Sequence, residues 1–261
     1  MTWFNRFGFT YLSYKALYSY QTIRLFLLFR ILDPVMHFLF FATLAGALVG
    51  SGYLSYVVLG NIAYYTAHTM IINFMTMFRM ERRFGTLELN IAAPLSTLLI
   101  IIRKSVVPLV DGILVFIIGL GIANFLFDVS FSLDSLAYLG ITFVVMIFSL
   151  FSISLLLGGM ALLFSNINLF LNLVLAFFQV FCGVNFSVTL FPTSLEHFAR
   201  LLPLTHSIEA LRFIQGGTFD SVSSLLWTEV RIGFVYLIFA IFLVKIMETV
   251  AKRNGALLKD V

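Results

Sequence analysis

Charge is scarce in this sequence: 11% of its 261 residues are Asp, Glu, Lys or Arg, against about 25% in an ordinary soluble domain. That leaves too little polar surface to cover a water-soluble globule of this length. Cysteine is nearly absent as well. Cys182 stands alone, so no internal disulfide can form, and its apolar surroundings in the sequence read as a small core position. Four histidines, His37, His68, His197 and His206, do not fall at metal-ligand spacing. No G-x-x-x-x-G-K-[ST] loop is present to cradle nucleotide phosphates. No H-E-x-x-H, G-x-S-x-G or paired-carboxylate pattern points to hydrolysis. These absences turn attention from chemistry to the bilayer.

What is present is apolar. Hydrophobic residues make up 61% of the chain, 31 of them Phe, and mean hydropathy is +1.05. No Asp, Glu, Lys or Arg interrupts the stretch from Pro34 to Phe78, nor that from Ser135 to Leu195. A membrane helix needs about 20 mostly apolar residues. The expected spans are therefore 31–50 and 54–78, divided at Gly50-Ser51-Gly52, then 97–127, 136–164, 169–190 and 226–247. Ser165-Asn166-Ile167-Asn168 breaks the second long run. Residues 5–30 mix Phe4, Phe7, Tyr11, Tyr14 and Tyr18 with Arg6, Lys15 and Arg24, the pattern of an amphipathic helix lying in the interface. These cations also argue against a cleavable signal peptide.

Six spans put both termini on one side. That side would carry Arg6, Lys15, Arg24, Arg30, Arg79, Arg82, Arg83, Arg103, Lys104, Lys245, Lys252, Arg253 and Lys259, leaving Arg200, Arg212 and Arg231 for the other. The positive-inside rule then places both termini and the 79–96 loop in the cytoplasm, and residues 191–225 outside. The net charge of +4 reads as membrane orientation and anionic lipid contact rather than nucleic-acid binding. Residues 191–217 read as two short helices. Thr193-Ser194-Leu195-Glu196 fits a capping box, Pro203 separates the pair, and Gly216-Gly217 stops the second.

Several polar groups fall within the apolar segments. Asp111 is costly there unless neutralised or paired; the expectation is a place near an interface or a partner on another helix, since a proton relay would need a second titratable group and only His68 offers one. Asn73, Asn172 and Gln179 are expected to hydrogen-bond between helices or subunits. Phe177, Phe178 and Phe181 on the fifth span are candidates for a hydrophobic pathway, although such aromatics more often serve lipid contact or packing.

Two motifs carry a family resemblance over essentially the whole chain. Glu81-Arg82-Arg83-Phe84-Gly85-Thr86-Leu87-Glu88, followed by Pro94, resembles the E-x-x-x-G-T-L-E signature of the ABC type-2 transporter membrane subunits. The run through Pro192, Leu202-Pro203-Leu204-Thr205-His206, Glu209-Ala210-Leu211-Arg212 and Gly216-Gly217 is similar to the segment between that family's fifth and sixth spans. Asn90 departs from the pattern, which usually has an apolar residue there. The resemblance implies an all-α, six-span permease with an N-terminal interfacial helix. It implies a coupling helix containing Glu81, Arg82, Arg83, Gly85, Thr86, Leu87 and Glu88 that docks on an ATPase subunit. It also implies an external re-entrant hairpin in which Glu196, Arg200, Glu209 and Arg212 satisfy one another and Pro192, Pro203 and Thr205 shape a gate. The expected partners are two copies of an ABC ATPase, a second permease subunit (identical or related) and membrane lipid. ATP and magnesium are expected on the ATPase, with no cofactor on this chain. The expected activity is export, across an inner or plasma membrane, of an amphipathic or hydrophobic cargo such as a drug, antimicrobial peptide or lipid. A lipid-linked polysaccharide is the alternative cargo. An ion-coupled secondary transporter, or an immunity subunit that binds an antimicrobial without moving it, are readings from other classes.

Overall fold

In the computed structural model, residues 23–83, 97–161 and 167–254 are described, and among them regular structure is entirely helical. The helices are α1 (Ile23–Leu48), α2 (Leu54–Arg83), α3 (Thr97–Lys104), α4 (Val106–Phe127), α5 (Leu136–Ala161), α6 (Ile167–Phe181), α7 (Thr193–Arg200), α8 (Thr205–Gln215) and α9 (Val222–Asn254). Among the described residues, three segments are long and apolar enough by length and composition to cross a membrane: 31–48 in α1, 100–127 through α3 and α4, and 136–160 in α5.

The arrangement explains why α2 is the least apolar of the long helices. It sits at the centre, with Val57 to Ala67 continuously buried, and packs against α1, α4 and α5. Its polar Asn61, Thr66, Thr69 and Asn73 are therefore shielded by protein. The outer helices carry the opposite pattern. On α9, Trp227, Phe234, Ile238 and Phe242 are each more than half exposed. A contiguous apolar exterior of this kind suits lipid rather than water. In lipid, apolar burial does little to draw helices together, so close packing and interhelical hydrogen bonds carry more of the association. The long α5–α9 contact shows both: a Cβ on Gly233 of α9 would lie 3.2 Å from the Ser149 α-carbon of α5, and the Ser149 hydroxyl donates to Glu229 of α9.

Several expected boundaries move. Residues 23–30 continue without a break into the first expected span, through Pro34. The interval 97–127 is divided at Ser105, because Pro108 has no N–H for the carbonyl four residues earlier, at Lys104. Ser105 Oγ turns back to Ile102 O at 2.7 Å. The expected span 169–190 ends as helix at Phe181; its 15 residues rise about 22 Å, short of a hydrocarbon core of about 30 Å. The last helix is longer than the expected 226–247 at both ends.

The α7–α8 pair occupies the place expected for two short helices. The capping box does not form. Pro192 is the N-cap, its carbonyl accepting from the Leu195 and Glu196 N–H groups, and the Glu196 side chain turns to Arg200 instead of reaching back. Proline has no side-chain acceptor, and an Arg one turn on is a stronger partner for a carboxylate than a backbone amide. Gly217 closes α8 at φ +73°, a left-handed conformation that lets its N–H reach Ile214 O and the Thr218 N–H reach Phe213 O.

Candidate functional site

The segment expected to contact an ATPase is only partly described. Glu81, Arg82 and Arg83 form the last turn of α2, while Gly85, Thr86, Leu87 and Glu88 lie outside the described residues. Just before that turn, Arg79 Nη1 donates to Asn168 Oδ1 at 2.8 Å. This bond ties the end of α2 to the start of α6.

Near the other end of α2, the α7–α8 pair is joined to the bundle by charged groups. Arg200 Nε donates to Glu196 Oε1 at 2.9 Å, and Arg200 Nη1 lies 3.6 Å from Glu209 Oε2. The turn between the helices is held by Thr205 Oγ donating to Ala199 O at 2.8 Å and His206 Nε2 donating to Arg200 O at 2.9 Å. Arg212 does not join this ion network. Its Nε donates to Tyr56 O at 3.2 Å, its Nη2 donates to Val184 O at 2.7 Å, and its guanidinium carbon lies 3.4 Å from the Tyr56 ring centroid. A planar fork can bond two carbonyls and stack on a ring at once, which an ammonium cannot. Desolvation lowers the Arg212 pKa to about 10, so it stays charged at neutral pH.

Gly60 makes this junction sterically feasible. A Cβ there would lie 2.0 Å from Val184 O and 2.6 Å from Arg212 Nη2. The bare α-carbon lets the turn after α6 seat its carbonyl against α2 within reach of Arg212.

Sequence reasoning missed Glu229. It lies one turn inside the last expected span and is fully buried. Its Oε1 accepts from Ser149 Oγ on α5 at 2.5 Å and from the Leu204 N–H, in the turn between α7 and α8, at 2.6 Å. Leu204 has φ +90°, a strained conformation for a residue with a Cβ. One carboxylate on α9 thus fastens α5 and the strained Leu-Pro-Leu turn. The signal that could have found it was an acidic residue in an apolar helix, which normally needs partners.

The remaining polar candidates are placed as follows. Asp111 on α4 is buried and accepts from Asn73 Nδ2 on α2, a pairing between helices. Asn172 is exposed and Gln179 half-buried on α6. Asn61, which the sequence reading did not single out, links three elements: its Oδ1 meets His37 Nε2 of α1 at 3.0 Å, and its Nδ2 donates to Asn185 Oδ1 at 2.9 Å. Phe177 and Phe181 pack together at 4.6 Å between centroids and meet Phe198 of α7 at 5.6 and 5.9 Å. Phe178 is buried behind them. These rings join α6 to the α7–α8 pair.

A half-open cavity of about 390 Å³ lies between α2, the turn after α6 and α8. Tyr56, Gly183, Ser187, Thr205, Glu209 and Arg212 are among its walls.

A family model described as ABC-2 type transporter matches residues 8–216, from before α1 to just past α8. No curated protein matches the chain.

Proposed function

The chain belongs to the ABC-2 type transporter family, and from that premise we propose that it is the membrane-spanning subunit of an exporter moving an amphipathic or hydrophobic cargo out of the cytoplasm. Permeases of this family are multi-pass membrane proteins that work with an ABC ATPase. The sequence agrees with that division of labour, since it holds no phosphate-binding loop of its own. The observation that carries the reading is the family match over residues 8–216, on a chain whose described residues form helices with an apolar exterior.

In this reading the spans are α1, α2, α3 with α4, α5, α6 and α9, with both termini in the cytoplasm. The short α6 reaches its full depth together with the 182–190 turns. The α7–α8 pair dips into the outer leaflet and closes the exit. A second permease subunit faces this one, and two ATPase subunits sit below. Glu81 to Glu88 form the coupling helix. ATP binding closes the ATPase pair and displaces that helix. The displacement travels along α2 and, through Arg79 and Asn168, into α6. The far ends of those helices meet the α7–α8 pair at Arg212, so the same movement alters the exit. Coupling requires contacts with the ATPase that differ between the two states. Phe177 and Phe181 would face cargo as the pair moves away.

Glu88→Lys tests the assignment. Charge reversal on the docking helix is expected to abolish cargo-stimulated ATP hydrolysis in the purified complex while leaving the basal activity of the isolated ATPase intact. Undiminished stimulation would rule out the coupling role.

A further inference from the structure

The cavity beside α8 has an unusual charge arrangement. Arg212 and Glu209 both line it, three residues apart on one helix, yet they form no ion pair with each other. Glu209 Oε2 is buried and ion-paired with Arg200 Nη1 at 3.6 Å, while the side chain, 27% exposed, also lines the cavity with the rest of its carboxylate. Arg212 spends Nε and Nη2 on backbone carbonyls, and no hydrogen bond to its Nη1 occurs among the described residues. One wall therefore offers a cation and a carboxylate, each with bonding capacity left over.

A simple anion would gain from Arg212 and be opposed by Glu209. A simple cation would meet the reverse. A ligand carrying both charges on a short spacer satisfies both walls, because side chains at i and i+3 of a helix stand roughly 5–6 Å apart at Cβ. The remaining walls fit the base of such a molecule. Ser187 and Thr205 are polar, while Tyr56, Val188 and Phe213 are largely apolar. A volume of about 390 Å³ holds a headgroup and its linker but not two long acyl chains, which would leave through the open side toward lipid. We propose that this cavity is a binding site for a zwitterionic lipid headgroup, its phosphate on Arg212 and its ammonium on Glu209. The inference rests on the reading above only for the leaflet the site faces, the outer one. There the headgroup would brace α8 against α2 and the turn after α6.

The test uses the full chain purified in maltoside micelles, without any ATPase, so its outcome is independent of the coupling reaction. Calorimetric titration compares dihexanoyl phosphoethanolamine with dihexanoyl phosphoglycerol, which has the phosphate but no ammonium. The native chain is expected to prefer the zwitterion by at least tenfold. Glu209→Gln removes the ammonium's partner and is expected to bring the two affinities within threefold. Equal affinities in the native chain, no binding of either lipid, or a tenfold preference surviving Glu209→Gln would each overturn the proposal. Should Glu209→Gln fail to fold, Thr218→Phe decides. Thr218 is exposed at the cavity's edge, and a ring there fills the space from outside. Lost binding supports the site, and unchanged binding overturns it.

Discussion

Replacing Glu229 separates two roles a buried carboxylate can play. If its charge were the point, Gln would be as damaging as Ala. If its acceptor oxygen is the point, Gln should do nearly as well as Glu. The structure favours the second. Oε1 receives both hydrogen bonds, from Ser149 Oγ and the Leu204 N–H, while Oε2 receives none among the described residues. An amide keeps the receiving oxygen and avoids burying a charge, a saving that offsets its weaker hydrogen bonds. Glu229→Gln is therefore expected within about 1 kcal/mol of the native stability. Glu229→Ala removes the acceptor. Ser149 can fall back on Met146 O, which it already meets at 3.1 Å. The Leu204 N–H loses its acceptor, and a buried unpaired amide costs about 1–3 kcal/mol. The cavity left by the side chain adds a comparable amount. The sum, about 2–5 kcal/mol, corresponds to a fall in melting temperature of roughly 5–15 °C for a chain of this size. The assay is thermal unfolding of purified protein in detergent, followed by circular dichroism. Refutation would be Ala melting with the native protein, or Gln melting below Ala.

Gly60→Ala places a methyl group 2.0 Å from a backbone carbonyl that cannot rotate away, so the α2–turn junction must shift; overpacking of this kind costs about 1–3 kcal/mol, readable as a lower melting temperature. Arg212→Lys keeps the charge but cannot bond Tyr56 O and Val184 O together, and a loss of about 1–3 kcal/mol is expected in the same assay. Asn73→Leu leaves a buried Asp111 oxygen without its amide donor; a destabilisation of about 1–3 kcal/mol is expected, and Asp111→Leu combined with it should recover part of the loss. Arg79→Ala breaks the tie to Asn168 near the proposed docking segment; since exposed pairs contribute little to stability, it should leave melting nearly unchanged while lowering stimulated ATP hydrolysis in the complex.

Local signals in the sequence were readable where the determinant is local. Pro203 and Gly216-Gly217 do bound two short helices, whereas the break at Ser105, one turn before Pro108, falls inside what the sequence suggested was a single span. The capping box at Thr193 failed because the chain caps at Pro192 and Glu196, although correctly spaced, has a better partner in Arg200. Determinants set by distant contacts were not readable. Gly60 matters because of a carbonyl at residue 184 and a guanidinium at residue 212. Glu229 matters because Leu204 lies across from it. Both are relations between segments whose approach no periodicity encodes. The low hydropathy of α2 likewise has its explanation only in three dimensions, where neighbours on several sides replace lipid.

The claim on which the account depends is that this chain moves cargo only when a separate ATPase hydrolyses nucleotide. The direct measurement is efflux of a fluorescent amphipathic dye from cells making this chain with its ATPase, either active or with its catalytic glutamate replaced. Efflux confined to the active pair is the predicted result. Efflux at the same rate with the inactive ATPase would contradict it.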